Sequence, residues 1–334
     1  MKIFVTGIAG FLGGHVAEKL LKDGHEVSGC DNLIGGYLDN VPEDAEFFQV
    51  DAIYLNQMRK MTQDSDVIIH TACTAYEGLS VFSPYLVGQN TYQISMSVFS
   101  AAAENKTPKV INFSSMARYG EQEITPFTED MIPQPQDPYG IAKLSAEKTL
   151  EVLSEVHNFK YVNLVPHNII GPKQKYDDPY RNVVSIMINR VLNGKAPIVY
   201  GDGEQVRCFS DIDDVVNPLV NSLTNKKAEG ETINVGPDED AISIKDLSLK
   251  ILNVLNSDLE PIFVDPRPQE VKFAHCSAEK SRKLLDYKTT VSLDESIEKI
   301  ANWIIQRGPK KFRYHLDVEI LNEKTPKTWK NKLI

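Results

Sequence analysis

At 334 residues, 42% hydrophobic and 25% charged, the chain has a globular composition and enough length to bury one large core or two smaller ones. A formal charge of −10 excludes nucleic acid as a general partner, so an anionic ligand must be met by local cations and not by the overall field. No apolar stretch is long enough to cross a bilayer, and the N-terminus runs directly into a strand; no membrane association and a cytoplasmic location are expected. The four cysteines, Cys30, Cys73, Cys208 and Cys276, are widely separated and lack metal-ligand spacing, which points to free thiols in a reducing compartment and to no metal site.

The first thirty-one residues read as one device. A short apolar strand (Ile3, Phe4, Val5) leads into Thr6-Gly7-Ile8-Ala9-Gly10-Phe11-Leu12-Gly13, a helical run follows, and a second strand ends at Asp31. Gly7 permits the tight turn, Gly10 lets backbone approach a pyrophosphate, and Gly13 lets the helix pack against the strand with its N–H groups and dipole facing the phosphates. Asp31 stands where an adenosine ribose presents its hydroxyls, and Asn32, Leu33, Ile34 and Gly35 bring no cation for a 2′-phosphate; NAD is therefore favoured over NADP.

Further apolar runs recur at Val27–Cys30, Phe47–Val50, Val67–Ile69, Val110–Phe113 and Tyr161–Val165, with helical patterns at Phe11–Asp23, Val87–Glu104 and Tyr139–His157 between them. This alternation predicts an α/β fold, a doubly wound parallel sheet of the Rossmann type with ligands at the carboxyl ends of its strands. From Pro166 onward, proline-punctuated loops and shorter helices predict a smaller C-terminal substrate-binding α/β lobe. The division expected is a cofactor domain over 1–165, to which 208–236 returns through the strand-like Thr232–Val235, and a substrate lobe over 166–334. The lysine-rich stretch Arg307 to Ile334 reads as a solvated, basic tail.

The strand Val110–Phe113 ends in Ser114-Ser115, and 24 residues after Ser115 comes Tyr139-Gly-Ile-Ala-Lys143, whose spacing puts Tyr139 and Lys143 on one helix face. A phenol beside an ammonium at the top of such a sheet is a proton-transfer group. To work near neutrality, a phenol that ordinarily titrates near ~10 needs about 4 kcal/mol of help. One positive charge at about 5 Å supplies roughly 3 kcal/mol at an effective dielectric near 20, so Lys143 and a positive nicotinamide ring are expected to lower Tyr139 together. Ser115 is expected to orient a substrate hydroxyl.

Together the glycine turn, Asp31, Ser115, Tyr139-x-x-x-Lys143 and the later Tyr200-Gly201-Asp202-Gly203 with Arg207 resemble the extended short-chain dehydrogenase/reductases that act on nucleotide sugars, particularly UDP-glucose 4-epimerase-type enzymes. The resemblance covers about residues 1 to 305. It implies NAD as cofactor, and adds Phe11, Leu12, Asn32, Asp51, Ala52, Thr71, Ala72 and Asn90 to the cofactor-binding residues. It implies a nucleotide-diphosphate sugar as substrate, with Asn168, Arg207 and Arg267 on the diphosphate and Asn182 and Tyr200 at the base, a sensible use of bidentate cations in an acidic chain. It also implies a homodimer through a four-helix interface built from the helices near Val87–Glu104 and Tyr139–His157. Counting seven residues on from Arg267 reaches Ala274, which in the resembled epimerases governs whether a C2 N-acetyl group fits; its small size is expected to admit one.

This sequence departs from the family in several places. The dehydratases place an Asp-Glu pair where this chain has Met116-Ala117, Pro166-His167 replaces an aromatic pair, and Cys208 stands where Asp is common. The reading that results is C4 epimerisation of a UDP-hexose or UDP-N-acetylhexosamine through a 4-keto intermediate. A net nucleotide-sugar dehydrogenase or 4-ketosugar reductase uses the same triad and stays open, as does a silent NAD-binding scaffold, which retention of Ser115, Tyr139 and Lys143 disfavours. His167 is either a pocket hydrogen-bonder or a structural residue.

Overall fold

The computed structural model describes all 334 residues. Six strands follow the expected order: β1 (Lys2–Thr6), β2 (Glu26–Cys30), β3 (Glu46–Phe48), β4 (Val67–His70), β5 (Lys109–Phe113) and β6 (Lys160–Pro166). All pairings are parallel, and Thr232–Val235 joins outside β6, giving the order Thr232–Val235, β6, β5, β4, β1, β2, β3. The sheet grows outward from β1 in one direction through β3 and in the other from β4, so the crevice for a ligand opens at the carboxyl ends of β1 and β4. β3 stops short of Val50 because the Val50 amide turns back onto the Phe48 carbonyl at 2.9 Å.

Both faces of the sheet are covered. Ile3 and Val5 pack with Val16 and Leu20 of helix α1 (Phe11–Lys22) and with Val215 and Leu219 of the helix Ile212–Asn221. Phe4 points the other way, into Val98, Phe99, Ala146 and Leu150 from the helices Ile94–Glu104 and Pro138–His157. This is the alternation of a strand buried on both sides, each large side chain contributing about 1.5–3 kcal/mol. Phe4, with no exposure, marks the spot where truncation to Ala costs most, about 3–5 kcal/mol.

Two helices that carry site residues are shaped by their ends. The Pro138–His157 helix starts on Asp137, whose carboxylate accepts the Gly140 amide at 3.0 Å, has Pro138 at its first position, and ends on Asn158 in the left-handed conformation. The helical run predicted over Val87–Glu104 begins earlier, at Pro84, and is interrupted by a π-turn at Gln89–Gln93. The wider turn leaves the Asn90 carbonyl to accept the Thr74 amide at 3.2 Å, tying this helix to the loop after β4.

A second core, around Tyr176, Val184, Ile188, Leu247, Ile251, Ile297 and Ile300, is built from the helices Val183–Leu192, Ile244–Val254 and Leu293–Arg307. Two small sheets adjoin it. One pairs Ile198–Tyr200 with Ile262–Val264, and the other holds Val206–Arg207 between Ile242–Ser243 and Phe273–Ala274. The solvated tail expected after Arg307 is not what the chain forms. Phe312, Tyr314, Leu316, Val318, Trp329 and Ile334 pack into a cluster with Tyr76, Phe82, Val87 and Tyr180. The lysine count concealed an apolar residue every few positions. No helix is long and apolar enough to cross a membrane.

Candidate active site

The turn after β1 is made by backbone alone. Gly7 sits at φ +74°, a conformation side chains rarely adopt. A Cβ on Gly13 would come to 2.1 Å from the Gly7 carbonyl oxygen, so helix and turn are in contact there without room for any side chain. Asp31, almost buried, accepts the Ala9 amide at 3.0 Å on one carboxylate oxygen and the Leu33 amide at 2.7 Å on the other. Burial pushes its carboxyl up, while these amides pull it down. Asp51, at the end of the neighbouring strand region, accepts from Asn32 Nδ2 at 2.8 Å.

These groups line a cavity of about 300 Å³ over the carboxyl ends of the strands. Every residue assigned to the cofactor lines it, including Gly7, Gly10, Gly13, Asp31, Asn90 and Lys143, and a glycine cradle beside a hydrogen-bonding carboxylate fits a dinucleotide.

At the inner end stand Ser115, Tyr139 and Lys143. The Ser115 hydroxyl accepts the Ala117 amide at 3.2 Å, starting a single helical turn over Met116–Arg118. Lys143, buried, donates to the Phe113 carbonyl at 2.7 Å, and its Nζ lies 5.9 Å from the centre of the Tyr139 ring. The expected lowering of Tyr139 by Lys143 is not found in the protein alone. Burial holds the phenol well above its ordinary value and Cys73 adds to this, whereas the Ser115 hydroxyl and the Arg181 guanidinium work the other way. The ammonium donates to a carbonyl, and desolvation of the phenol is the largest effect. Beneath the site, the fully buried Glu147 pairs with Arg118 at 3.1 Å and takes the Ser114 hydroxyl.

A second cavity, of about 270 Å³, continues from the first and shares Ala75, Glu77, Asn168, Arg181 and Asn182 with it. Here lie Tyr200, Arg207 and Arg267. The Arg207 guanidinium is held by the carbonyls of Val206 at 2.8 Å and Val271 at 2.7 Å, with no carboxylate on it. Burial lowers its pKa, Glu77 and Glu270 nearby work against that, and neighbouring Arg267 adds a smaller lowering. Arg267 pairs with Glu270 at 2.6 Å and stacks over the Tyr200 ring at 4.7 Å. Asn168 (φ +44°) donates to the Cys208 carbonyl at 2.9 Å, and Asn182 (φ +61°) to the Ile169 carbonyl at 3.3 Å. Both are strained turns fixed by side-chain-to-backbone bonds at the mouth where the cavities meet.

One substrate residue is not brought to either cavity. Ala274 forms the edge strand beside Val206–Arg207 and is buried among Tyr119, Phe127, Val165 and Val271. Counting along the loop cannot register a strand that pairs with its neighbour one backbone away. His167 is structural: it is buried, its Nε2 faces the Pro237 carbonyl at 2.8 Å, burial lowers it to about 4, and it lines neither cavity.

The sequence reading missed the loop from Cys73 to Gly78, and with it Glu77, which lies between the triad and the arginines. Surrounding protein pushes its carboxyl up, as does Asp137, while Arg207 and Arg267 pull it down. The loop's place after β4, at the carboxyl edge of the sheet, was the available signal. Arg181 and Trp329 were missed as well, and neither carries a motif.

The chain belongs to the NAD dependent epimerase/dehydratase family, whose sequence model matches residues 3–236. Among its relatives is a UDP-glucose 4-epimerase of Mycolicibacterium smegmatis, 28% identical over 308 residues, which span 90% of this chain and 97% of that one. Among solved structures, a UDP-glucose 4-epimerase of Thermotoga maritima with UDP-glucose superposes with a TM-score of 0.86 at 30% identity, over 92% of this chain and 99% of that one. A UDP-glucuronic acid 4-epimerase of Bacillus cereus, in complex with UDP-glucuronic acid and NAD, does so with the same score and identity over 92% of this chain and all of its own.

Proposed function

We propose that this protein is an NAD-dependent epimerase that inverts C4 of a UDP-hexose or UDP-N-acetylhexosamine. The observation that carries the reading is the pair of adjoining cavities: a proton-transfer triad lines the cavity with the dinucleotide cradle, and that cavity shares Ala75, Glu77, Asn168, Arg181 and Asn182 with one that holds two arginines. The first cavity would hold NAD on Gly7, Gly10, Gly13 and Asp31. NAD bound there supplies a recyclable two-electron oxidant and, in its oxidised form, a positive charge near Tyr139.

The chain's own residues then have separable tasks. Arg207 and Arg267 bind the diphosphate, with Asn168 and Asn182 at the turn between the cavities and Tyr200 beside the base. Ser115 hydrogen-bonds the sugar's 4-hydroxyl. The Tyr139 oxygen takes that hydroxyl's proton as C4 is oxidised and returns it when the 4-keto sugar, having turned over, is reduced on its other face. Net redox is zero. Met116 and Ala117 follow Ser115 where the dehydratases place their Asp-Glu pair, which speaks against a dehydratase.

Incubation with UDP-glucose, and separately UDP-N-acetylglucosamine, without added NAD tests this. The expected product is the C4 epimer, with NAD released from the protein on denaturation. Dependence on a stoichiometric supply of NAD, with net NADH formed, would replace it with the dehydrogenase reading.

The protein is further proposed to be a homodimer. Tyr85, Tyr92, Ile141, Val152 and Val156 are exposed on the adjacent helical segments 84–104 and 138–157, which touch through Tyr92 and Thr149 hydroxyls at 3.2 Å. A monomer mass at micromolar concentration would contradict it.

A further inference from the structure

Segment 309–334 crosses from one side of the second cavity to the other. On the substrate-lobe side, the Lys310 carbonyl accepts from Asn189 Nδ2 at 2.8 Å, the Arg313 amide donates to the Asp177 carbonyl at 2.8 Å, and the Leu333 carbonyl accepts from Arg190 at 3.3 Å. On the sheet side, the Ile320 amide donates to the Phe82 carbonyl at 2.9 Å. The Glu319 carboxylate accepts the amides of Tyr85 at 3.1 Å and Leu86 at 2.8 Å, at the start of the helix Pro84–Gly88. Between these anchors the segment turns inward. Thr328 shares a hydrogen bond of 2.6 Å with the Tyr200 hydroxyl, and Trp329 packs edge-on against Tyr180 and Phe82.

Trp329 and Ile334 line the second cavity. The indole is 3% exposed, and its Nε1 has no hydrogen-bond partner in the protein, a donor whose burial costs about 1–3 kcal/mol if nothing receives it. A Cβ placed on Gly78 would lie 3.5 Å from the indole Cη2 and 3.4 Å from Arg267 Nη1, so aromatic ring and guanidinium meet over this one glycine of the loop after β4. A wall of indole, tyrosine and isoleucine beside two arginines suits a planar base attached to a diphosphate.

We propose that the strap 309–334 completes the nucleotide end of the substrate site, and that Trp329 sets affinity for the nucleoside diphosphate. This rests on the reading that the second cavity takes the UDP part of the substrate. Trp329 and Tyr200 then bound the base from two sides, and the strap ties both lobes to it.

UDP, titrated into NAD-loaded protein, is the probe. Trp329→Ala should weaken UDP about tenfold and raise KM for the UDP-sugar by the same factor, with kcat and bound NAD unchanged; Trp329→Phe should restore most of the affinity. Because Trp303 is the one other tryptophan, Trp303→Phe leaves Trp329 as the sole indole, and its emission should change saturably with UDP. Unchanged UDP affinity in Trp329→Ala, with Arg207→Met weakened, overturns the strap's role and leaves the proposed function standing. Absence of UDP binding to the wild type overturns both. A loss of kcat and NAD in Trp329→Ala that Trp329→Phe does not repair, with an indole silent to UDP, assigns the strap to folding alone and contradicts the proposal.

Discussion

The two ends of the cleft are built in opposite ways. The cofactor end is backbone: three glycines within seven residues, amide groups on Asp31, and one short loop do the shaping. The nucleotide-sugar end is side chains, drawn from Tyr200, Arg207, Arg267 and Trp329, positions spread over some 130 residues of chain. A backbone-built end has no room for an added Cβ at Gly7 or Gly13 and is encoded locally. A side-chain-built end can be retuned one residue at a time.

The largest effect that separates them is expected at Gly13. Gly13→Val puts a Cβ at 2.1 Å from the Gly7 carbonyl oxygen, where only the backbone could give. Soluble yield and bound NAD should both collapse, and a folded, NAD-loaded variant would break the distinction. Next comes the triad: Tyr139→Phe removes the proton carrier from a ring that is already buried, so kcat should fall roughly a thousandfold with NAD content and melting temperature nearly unchanged. At the side-chain end, Arg207→Met should raise KM for the UDP-sugar about 10- to 100-fold with a much smaller change in kcat, since it removes a charged hydrogen bond made equally to ground and transition states.

A smaller effect comes from the two buried histidines, one under each end. His70 lies between Thr6 and Ser95 at the end of β4 and is lowered to about 3; His167 is lowered to about 4, both by burial. Unfolded, each binds a proton near 6.5, while folded it stays neutral. Their contribution is therefore fully present above about pH 6.5 and is lost as the pH falls toward 3 and 4 respectively, by about 2 kcal/mol each at pH 5. Chemical denaturation at pH 7 and pH 5 should show this loss, and His167→Gln should reduce it. The smallest effect is at Gly78, where Gly78→Ala makes only ordinary contacts with Arg267 and Trp329. KM should stay within about twofold by the same reasoning that makes Gly13 intolerant.

The same division decides what could be read from sequence. The glycine turn, Asp31, Ser115 and Tyr139-x-x-x-Lys143 are local patterns, and the sheet order follows from strand runs separated by helices. Thr232–Val235 was legible as a returning strand because three of its four residues, Thr232, Ile233 and Val235, are β-branched. Ala274 was misplaced because its position depends on strand pairing with Arg207, not on distance along the chain from Arg267. The segment after Arg307 was misread because lysines dominate its composition, whereas Phe312, Tyr314, Trp329 and Ile334 determine its packing. The charge on Tyr139 could not be judged from spacing, since it turns on burial and on the carbonyl that holds Lys143.

The central claim is that C4 is oxidised and reduced again within one closed site, with only the hydroxyl proton passing through Tyr139. UDP-glucose carrying deuterium on C4, incubated with the protein in ordinary water and no added NAD, tests it most directly. The predicted result is UDP-galactose that keeps its deuterium on C4, with none in the solvent. Epimerised product that has exchanged its C4 deuterium for solvent hydrogen would contradict the account.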